Sequence, residues 1–310
     1  MSRPEVLVIG DANPDLVLTG DVVPAFGQAE TLVDAADLVL GGSAAIVACG
    51  LARLGVPTAL AATVGDDVYG GFVRDALDER GVDTRWVRID PAVATGISVV
   101  LSGGDRAILT FPGTIASSGP EIIDEALVTS VRHVHSASFF LLPRLSRHLP
   151  GVLAGARAAG ATTSLDTNWD PAQTWAGVDR LLDHTDVLLP NTAELLALTG
   201  HDDRDEAAGV VLGHGCQVAL KNGADGGSLW QAPDLVTHVP SPEVAAIDTT
   251  GAGDSFDAGF ISGLVAGLSG EECLVRAVAC GSLSTRAVGG TAGQPVLDEL
   301  GAGFRASPPA

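Results

Sequence analysis

The stretch DTTGAGDSFDAGF, residues 248–260, places small residues and a carboxylate together at the start of a run with helical spacing. The first turn of a helix carries unpaired backbone N–H groups and a partial positive charge. Because Gly251, Ala252 and Gly253 have little or no side chain, an anion can approach those donors directly. Asp254 follows at once, and we expect the helix dipole to keep its carboxylate ionised.

This arrangement suits phosphoryl transfer, in which positioning and charge stabilisation matter more than a strong base. The amide groups can hold the transferring phosphate, and Asp254 can aim an attacking hydroxyl and accept its proton late. Two other phosphate-binding motifs are excluded. Lys221 is the only lysine and Asn222 follows it, so there is no Walker A loop, and no G-x-G-x-x-G follows the first predicted strand.

Composition and charge exclude several classes of partner. The chain has 310 residues, of which 46% are hydrophobic and 18% charged, enough for a large core. Its formal net charge of −21 repels nucleic-acid backbones and anionic lipid, so we expect neither partner. The cysteines lack the spacing of a metal site, which predicts reduced, buried thiols at Cys49, Cys216, Cys273 and Cys280. No signal peptide or membrane span is recognisable. Together these features predict a cytoplasmic protein.

Strand-like and helix-like segments alternate along most of the chain with short connections. The pattern predicts an α/β fold with a doubly wound, mainly parallel sheet, helices on both faces and ligands beyond the carboxyl ends of the strands. Residues 17–40 and 85–111 instead resemble short strands with turns, and predict a small β-sheet lid inserted into a single domain, 1–310. The predicted strands are 5–10, 58–65, 133–139, 161–168, 186–191 and 216–223, and the predicted helices include 43–55 and 69–81.

The string DTTGAGD closely resembles the C-terminal signature of the ribokinase-like (PfkB) family of carbohydrate kinases. In that family the Gly-Ala-Gly turn is the anion hole and the next aspartate the catalytic base, which implies Gly251, Ala252, Gly253 and Asp254 here. Further stretches resemble family motifs in the same order along the chain: GDANPD (10–15), GGSAA (41–45), VGDD (64–67) and NTAE (191–194). The resemblance implies ATP-dependent phosphorylation of a hydroxyl on a ribose- or fructose-like sugar.

The first two of these motifs resemble the sugar-binding part of the family. They imply contacts with the sugar from Asp11, Asn13, Asp15, Gly41, Gly42 and Ser43. Ile46 departs from the family pattern, which usually has an asparagine that bonds the substrate. Two alternatives therefore stay open: an adenosine-like nucleoside kinase of the same fold, and, in another class, a non-catalytic sugar- or nucleotide-sensing protein on a kinase scaffold.

The resemblance also implies the cofactors ATP and Mg²⁺, with K⁺ as a further candidate. The N-x-x-E of Asn191 and Glu194 is a capping-box pattern that in the family also organises Mg²⁺, mainly through water. Asp248 and Thr250 resemble residues that hold a monovalent cation in some members. The implied nucleotide contacts are Asn168, Asn191, Lys221, Gly223, Gly226 and Thr249. Because lid strands pair between subunits in relatives, a homodimer through the lid also stays open.

Overall fold

The structure, a computed structural model, describes residues 3–27, 29–103 and 105–301. Strands and helices alternate along most of the chain. The strands are β1 (Val6–Ile9), β2 (Asn13–Thr19), β3 (Ala35–Gly41), β4 (Thr58–Gly65), β5 (Val87–Asp90), β6 (Ile97–Gly103), β7 (Asp105–Phe111), β8 (His133–Ser136), β9 (Thr162–Leu165), β10 (Val187–Leu188), β11 (Gln217–Lys221), β12 (Gly227–Ala232) and β13 (Leu235–Val239). The helices are α1 (Ser43–Arg53), α2 (Val68–Glu79), α3 (Gly113–Ser117), α4 (Glu125–Val128), α5 (Leu149–Ala158), α6 (Asp179–Leu182), α7 (Thr192–Thr199), α8 (Arg204–Leu212), α9 (Ala252–Val265) and α10 (Gly270–Ser284).

Nine strands form one large sheet in the order β13-β12-β11-β10-β9-β8-β1-β4-β5. The strands from β11 to β5 run parallel to one another, while β12 and β13 extend the other edge antiparallel. All six predicted strands are present in this sheet, and the predicted doubly wound α/β class is confirmed. Strand β1 is apolar on both faces because both faces of the sheet are covered there. Leu7 and Ile9 pack in one core cluster, and Val6 and Val8 pack in another with α1 and α9 residues.

The remaining strands form a separate small sheet in the order β3-β2-β6-β7. Both predicted insertions contribute to it, although residues 28 and 104 within them lie outside the described residues. Val87–Asp90, inside the predicted 85–111 insertion, pairs instead with β4 in the large sheet. The second pair of strands in the small sheet therefore begins at Ile97.

Strand β1 marks the point where the order of the large sheet reverses. β1 lies between β4 and β8, so the chain continues to one side of it first and to the other side later. Such a reversal leaves a crevice beyond the carboxyl end of the strand, where ligands bind. The ends of β1, β8, β9, β10 and β11 meet at this edge, and they are followed or closed by Asp11, Ser138, Asp166, Asn191 and Lys221.

Candidate active site

Helix α9 begins at the turn of small residues, as the sequence predicts. Gly251 is its N-cap, with φ 70° and ψ 9°, a left-handed conformation that favours glycine. A Cβ on Gly251 would lie 2.5 Å from Gly290 Cα, so this position also lacks room for a side chain. No side chain among the described residues caps the helix. Its first turn therefore offers backbone donors to an anion.

A cavity of about 450 Å³ borders the same turn. Four of the implied nucleotide contacts line it, together with the anion turn: Lys221, Gly223, Gly226, Thr249, Ala252 and Gly253. Apolar groups from Pro242, Val244, Ala246, Phe256 and Val278 form other parts of the wall. A mostly apolar pocket with a few polar groups at one end suits a flat base with a charged tail.

The carboxylate of Asp254 is held by a chain of hydrogen bonds. Ser43 Oγ donates to Asp254 Oδ1 and accepts from Asn168 Nδ2 at 3.0 Å. Asn168 Oδ1 accepts the backbone N–H of Ser138 at 2.7 Å, which fixes the amide orientation. Because Ser43 accepts from Asn168, its own proton is directed to Asp254. Asn168, implied as a nucleotide contact, and Ser43, implied as a sugar contact, thus both act on the position of Asp254.

The ionisation of Asp254 differs from the expectation drawn from the helix dipole. Burial raises the pKa of Asp254 to about 7, while the Ser43 hydrogen bond and the Lys221 ammonium act in the opposite direction. The prediction of a firmly ionised carboxylate is therefore wrong, since desolvation outweighs the favourable contacts. A pKa near neutrality makes Asp254 a better general base, because such catalysis is most efficient when the pKa lies near the working pH.

Asp254 belongs to a cluster of acidic groups around Lys221. Carboxylate oxygens of Asp166, Asp254 and Asp257 all lie within 4.8 Å of one another. Lys221 Nζ lies 2.6 Å from Asp166 Oδ2 and 2.8 Å from Asp257 Oδ1. The cluster thus already contains a cation, the ammonium group. The sequence reasoning missed Asp257, although its spacing of three residues after Asp254 places both on one side of α9.

Asn191 and Glu194 form the predicted capping box at the start of α7. Asn191 Oδ1 accepts the Glu194 N–H at 2.9 Å, and Glu194 Oε2 accepts the Asn191 N–H at 2.9 Å. Burial, and then the nearby Asp166 carboxylate, raise the pKa of Glu194 to about 7. Two carboxylates that repel each other favour a cation between them. Carboxylate and amide oxygens completed by water are the ligands Mg²⁺ prefers, so these residues fit that ion.

The implied sugar residues gather where the small sheet meets α1. The Asp15 side chain on β2 lies diagonally over Gly41 on β3, and a Cβ on Gly41 would fall 2.1 Å from Asp15 Cγ. Asn13 Nδ2 donates to Asp15 Oδ1 at 2.9 Å. Asp11 instead accepts the Ala44 N–H at 3.0 Å with Oδ1, near the start of α1. The structure therefore brings Asn13 and Asp15 together and gives Asp11 a helix-capping contact.

Two hydroxyls that the sequence reasoning missed extend this polar group across the small sheet. Ser98 Oγ on β6 lies 3.5 Å from Asn13 Nδ2 and 3.0 Å from Thr110 Oγ1 on β7. Only strand pairing reveals them, because Ser98 and Thr110 are far from Asn13 in sequence. Ile46 does not extend the group: it is 3% exposed, and a Cβ on Gly290 would lie 2.5 Å from its Cδ1.

Asp248 links the two loops that border the anion turn. Its Oδ1 accepts the Thr250 N–H at 2.9 Å and the Thr250 hydroxyl at 2.7 Å. Its Oδ2 accepts the Gly289 N–H at 2.8 Å. Gly290, the next residue, is the one that contacts Gly251. Asp248 therefore helps to set the position of the turn.

A sequence model of the pfkB family carbohydrate kinases matches residues 3–297. The chain belongs to this family. The kinase is 34% identical over 301 residues to the ATP-dependent ribose-1-phosphate kinase of Halopiger xanaduensis, with 96% of this chain and 97% of the relative covered. Its fold is similar to that of Arabidopsis thaliana ribokinase complexed with ribose and ATP, at 28% identity and a TM-score of 0.85, covering 97% and 98% of the two chains.

The fold of this chain is also similar to that of a candidate ribokinase II of E. coli in complex with ATP and Mg²⁺. The identity is 26%, the TM-score 0.85 and the coverage 96% of this chain and 97% of the other. The family and the relatives confirm the predicted ribokinase-like fold and identify the kinase as an ATP-dependent sugar kinase. Among the described residues, no helix is both long and apolar enough to cross a membrane.

Proposed function

We propose that the kinase transfers the terminal phosphate of ATP in line to a hydroxyl of a ribose- or fructose-like sugar. One relationship carries this proposal. Gly253 lines the large cavity, and Asp254, the next residue, is bonded to Ser43 of the implied sugar motif. The nucleotide side and the sugar side of the site thus meet at two consecutive residues, which is where a phosphate must pass from one to the other.

In the proposed reaction the first turn of α9 holds the transferring phosphate through its backbone N–H groups. Asp254 accepts the proton of the sugar hydroxyl. The hydrogen bonds through Ser43 and Asn168 keep the Asp254 carboxylate in place. Asn191 and Glu194, beside Asp166, would hold Mg²⁺. When bound, that ion neutralises charge on the phosphates.

We propose that Asn13 and Asp15 bind the sugar hydroxyls, with Gly41 and Gly42 allowing close approach of the backbone. Carboxylate and amide oxygens suit a polyol because each can accept more than one hydrogen bond. Asp11 contributes through the oxygen that does not cap α1. The small sheet that carries Asp15 acts as a lid, since water is the competing nucleophile and must be kept out.

An ADP-release assay over several acceptors tests the proposal. Ribose, fructose, adenosine and ribose 1-phosphate are compared at equal concentration, and we expect turnover with a free sugar. Preference for adenosine would establish the nucleoside-kinase alternative, and the buried position of Ile46 argues against it because Ile46 offers little surface to a base. Sugar binding without ADP release from any acceptor would favour the non-catalytic sensor.

We further propose that K⁺ binds beside Asp248 and Thr250 and acts through the anion turn. The support is that Asp248 joins both loops that contact Gly251, so a cation there would stiffen the turn. Comparing rates in potassium and in tetramethylammonium salts tests this role. Equal rates in the two salts would exclude this role for K⁺. The cytoplasmic location predicted from the sequence stays a prediction.

We propose a homodimer formed through the small sheet. Leu16 pairs with Leu38 and Val99, and Val99 pairs with Leu109, so an apolar row crosses all four strands. Paired residues share a face, and Asp15, adjacent to Leu16, points to the opposite face. Leu38 is 42% exposed and Leu109 61% exposed. An exposed apolar row of this kind favours a partner, and a two-fold axis lets the same row cover itself.

Analytical ultracentrifugation tests the homodimer. We expect the wild-type kinase to sediment as a dimer and Leu109→Asp as a monomer. Leu235→Asp is the matched control, because Leu235 is also an exposed leucine, 53% accessible, on an edge strand of the large sheet. A monomeric wild type would refute the proposal.

A further inference from the structure

Lys221 is a buried cation fixed between two carboxylates. Its Nζ lies 2.6 Å from Asp166 Oδ2 and 2.8 Å from Asp257 Oδ1. The side chains are 11% exposed for Lys221, 2% for Asp166 and 0% for Asp257, so none of the three can turn into solvent without opening the site. The ammonium is therefore held at one point by groups from β11, the loop after β9, and α9.

That point lies beside the anion turn. A Cβ on Gly253 would lie 3.6 Å from Lys221 Nζ, in ordinary van der Waals contact. Both residues line the cavity that suits the nucleotide. The ammonium therefore borders the space between the backbone donors of α9 and the Asp254 carboxylate, through which the transferred phosphate must move.

The Lys221 ammonium is held by both partners and still has a donor for a phosphate. Although burial opposes it, the Lys221 ammonium holds the pKa of Asp166 below its ordinary value. Burial raises the pKa of Asp257 well above its ordinary value. An ammonium group has three N–H donors, and Asp166 and Asp257 engage two of them, so the third can be donated to a phosphate.

We propose that Lys221 is a catalytic residue that contacts the transferred phosphate, and that Asp257 is the positioning residue that holds it there. This inference rests on the proposed sugar-kinase function. A fixed ammonium can stabilise the negative charge that develops in phosphoryl transfer, and because it is already in place it needs no rearrangement during the reaction. It adds a point charge to a site whose anion turn contributes only backbone dipoles.

The competing interpretation is an ion cluster that only joins β11, β9 and α9. The two interpretations differ in which ligand is affected. If the cluster is only structural, losing Lys221 should lower the stability of the protein or the affinity for all ligands alike. If Lys221 contacts the transferred phosphate, its loss should lower the affinity for a nucleotide that has this phosphate and leave the affinity for one that lacks it unchanged.

Calorimetric titration with AMP-PNP and with ADP, each with Mg²⁺, separates the two. For Lys221→Met, which keeps the length of the side chain and removes its charge, we expect AMP-PNP affinity to fall about tenfold or more, the usual effect of losing a charged hydrogen bond. ADP affinity should change by no more than about twofold. Arg204→Met is the control, since Arg204 Nη1 lies 3.5 Å from Asn222 and outside the cluster. Equal losses for AMP-PNP and ADP would overturn the contact.

Asp257 variants keep the inference testable if Lys221→Met does not fold. We expect Asp257→Ala to lower kcat at least about tenfold, because the ammonium is then held from one side only. Asp257→Asn should recover most of that loss, since the amide oxygen can still accept a hydrogen bond from Lys221. Equal kcat in the alanine and asparagine variants would exclude positioning. Absence of ADP release by the wild type, with the AMP-PNP preference retained, would instead overturn the proposed function alone.

Discussion

Ser43 donates a hydrogen bond to Asp254, and this contact joins the first residue of α1 to the first turn of α9 across 211 positions of sequence. Each residue belongs to a different family motif, one implied in sugar binding and the other in phosphoryl transfer. The bond means that the carboxylate is oriented by the motif whose family resemblance implies sugar binding. Its position therefore depends on the acceptor side of the site as well as on its own helix.

Replacing Asp254 by asparagine tests its role as base. Asp254→Asn keeps an oxygen that can accept from Ser43, so the geometry should survive while the proton acceptor is lost. We expect kcat to fall about a thousandfold, within the range for general-base catalysis, with sugar and ATP affinities nearly unchanged. Steady-state kinetics with calorimetric binding measures both. A variant that retains near-full kcat would remove Asp254 from the chemistry.

The pH dependence of the free enzyme should report Asp254. Because the base must be deprotonated, and its pKa is raised to about 7, kcat/KM should rise with pH through about 7 and level off above it. The Ser43 hydrogen bond lowers this pKa, so Ser43→Ala should move the rise to higher pH. Ser146→Ala is the control, because the Ser146 hydroxyl donates to the local Pro143 carbonyl. An unshifted profile in Ser43→Ala would contradict the contact.

Adding a methyl group at Gly253 should obstruct the anion turn without disturbing the fold. The three nearest atoms that a Cβ there would meet belong to the Lys221 side chain, at 3.5 Å or more. Alanine also favours helix over glycine by about 0.5–1 kcal/mol, so the variant should unfold at the same or a higher temperature. We expect a rise in KM for ATP and a fall in kcat, measured beside thermal unfolding.

Gly209→Ala is the matched control for this change. Gly209 lies within α8, and a Cβ there would meet no neighbouring atom of the described residues within 4 Å beyond its own helix backbone. It should gain the same helix preference with unchanged kinetics. If Gly253→Ala matched Gly209→Ala in both rate and KM, the phosphate would not bind at the α9 turn.

Neutralising Glu194 should weaken Mg²⁺ without removing the helix cap. Glu194→Gln can still accept the Asn191 N–H, but it lacks the charge that attracts a cation. We expect the Mg²⁺ concentration for half-maximal velocity to rise several-fold, roughly as expected when one charged contact is lost. Titration of velocity against Mg²⁺ at fixed ATP measures it.

A second capping box supplies the control for Glu194. Ser269 and Glu272 form the same arrangement at the start of α10. Glu272→Gln makes the same chemical change there and should leave the Mg²⁺ requirement unaltered. If both variants needed the same Mg²⁺ as the wild type, Glu194 would have a capping role only.

Local sequence was sufficient for much of the framework. Apolar runs of strand length located predicted strands such as 5–10 and 58–65, because the pattern of a buried parallel strand depends on its own residues. The capping box at Asn191 and Glu194 and the glycine-rich start of α9 also follow from contacts within one turn. For the same reason, the amino-acid sequence alone predicts the turn at Gly251.

Tertiary structure decided what crosses between elements. The ion cluster of Lys221 with Asp166 and Asp257 needs the ends of β11 and β9 to meet α9. The hydrogen bonds of Ser43 and Asn168 need the start of α1 to meet the loop after β9, which is far away in sequence. The pKa of Asp254 depended on the same packing: the dipole of its own helix predicts an ionised acid, whereas burial by neighbouring elements raises the pKa to about 7. Desolvation is set by everything that surrounds a group, which no local pattern contains.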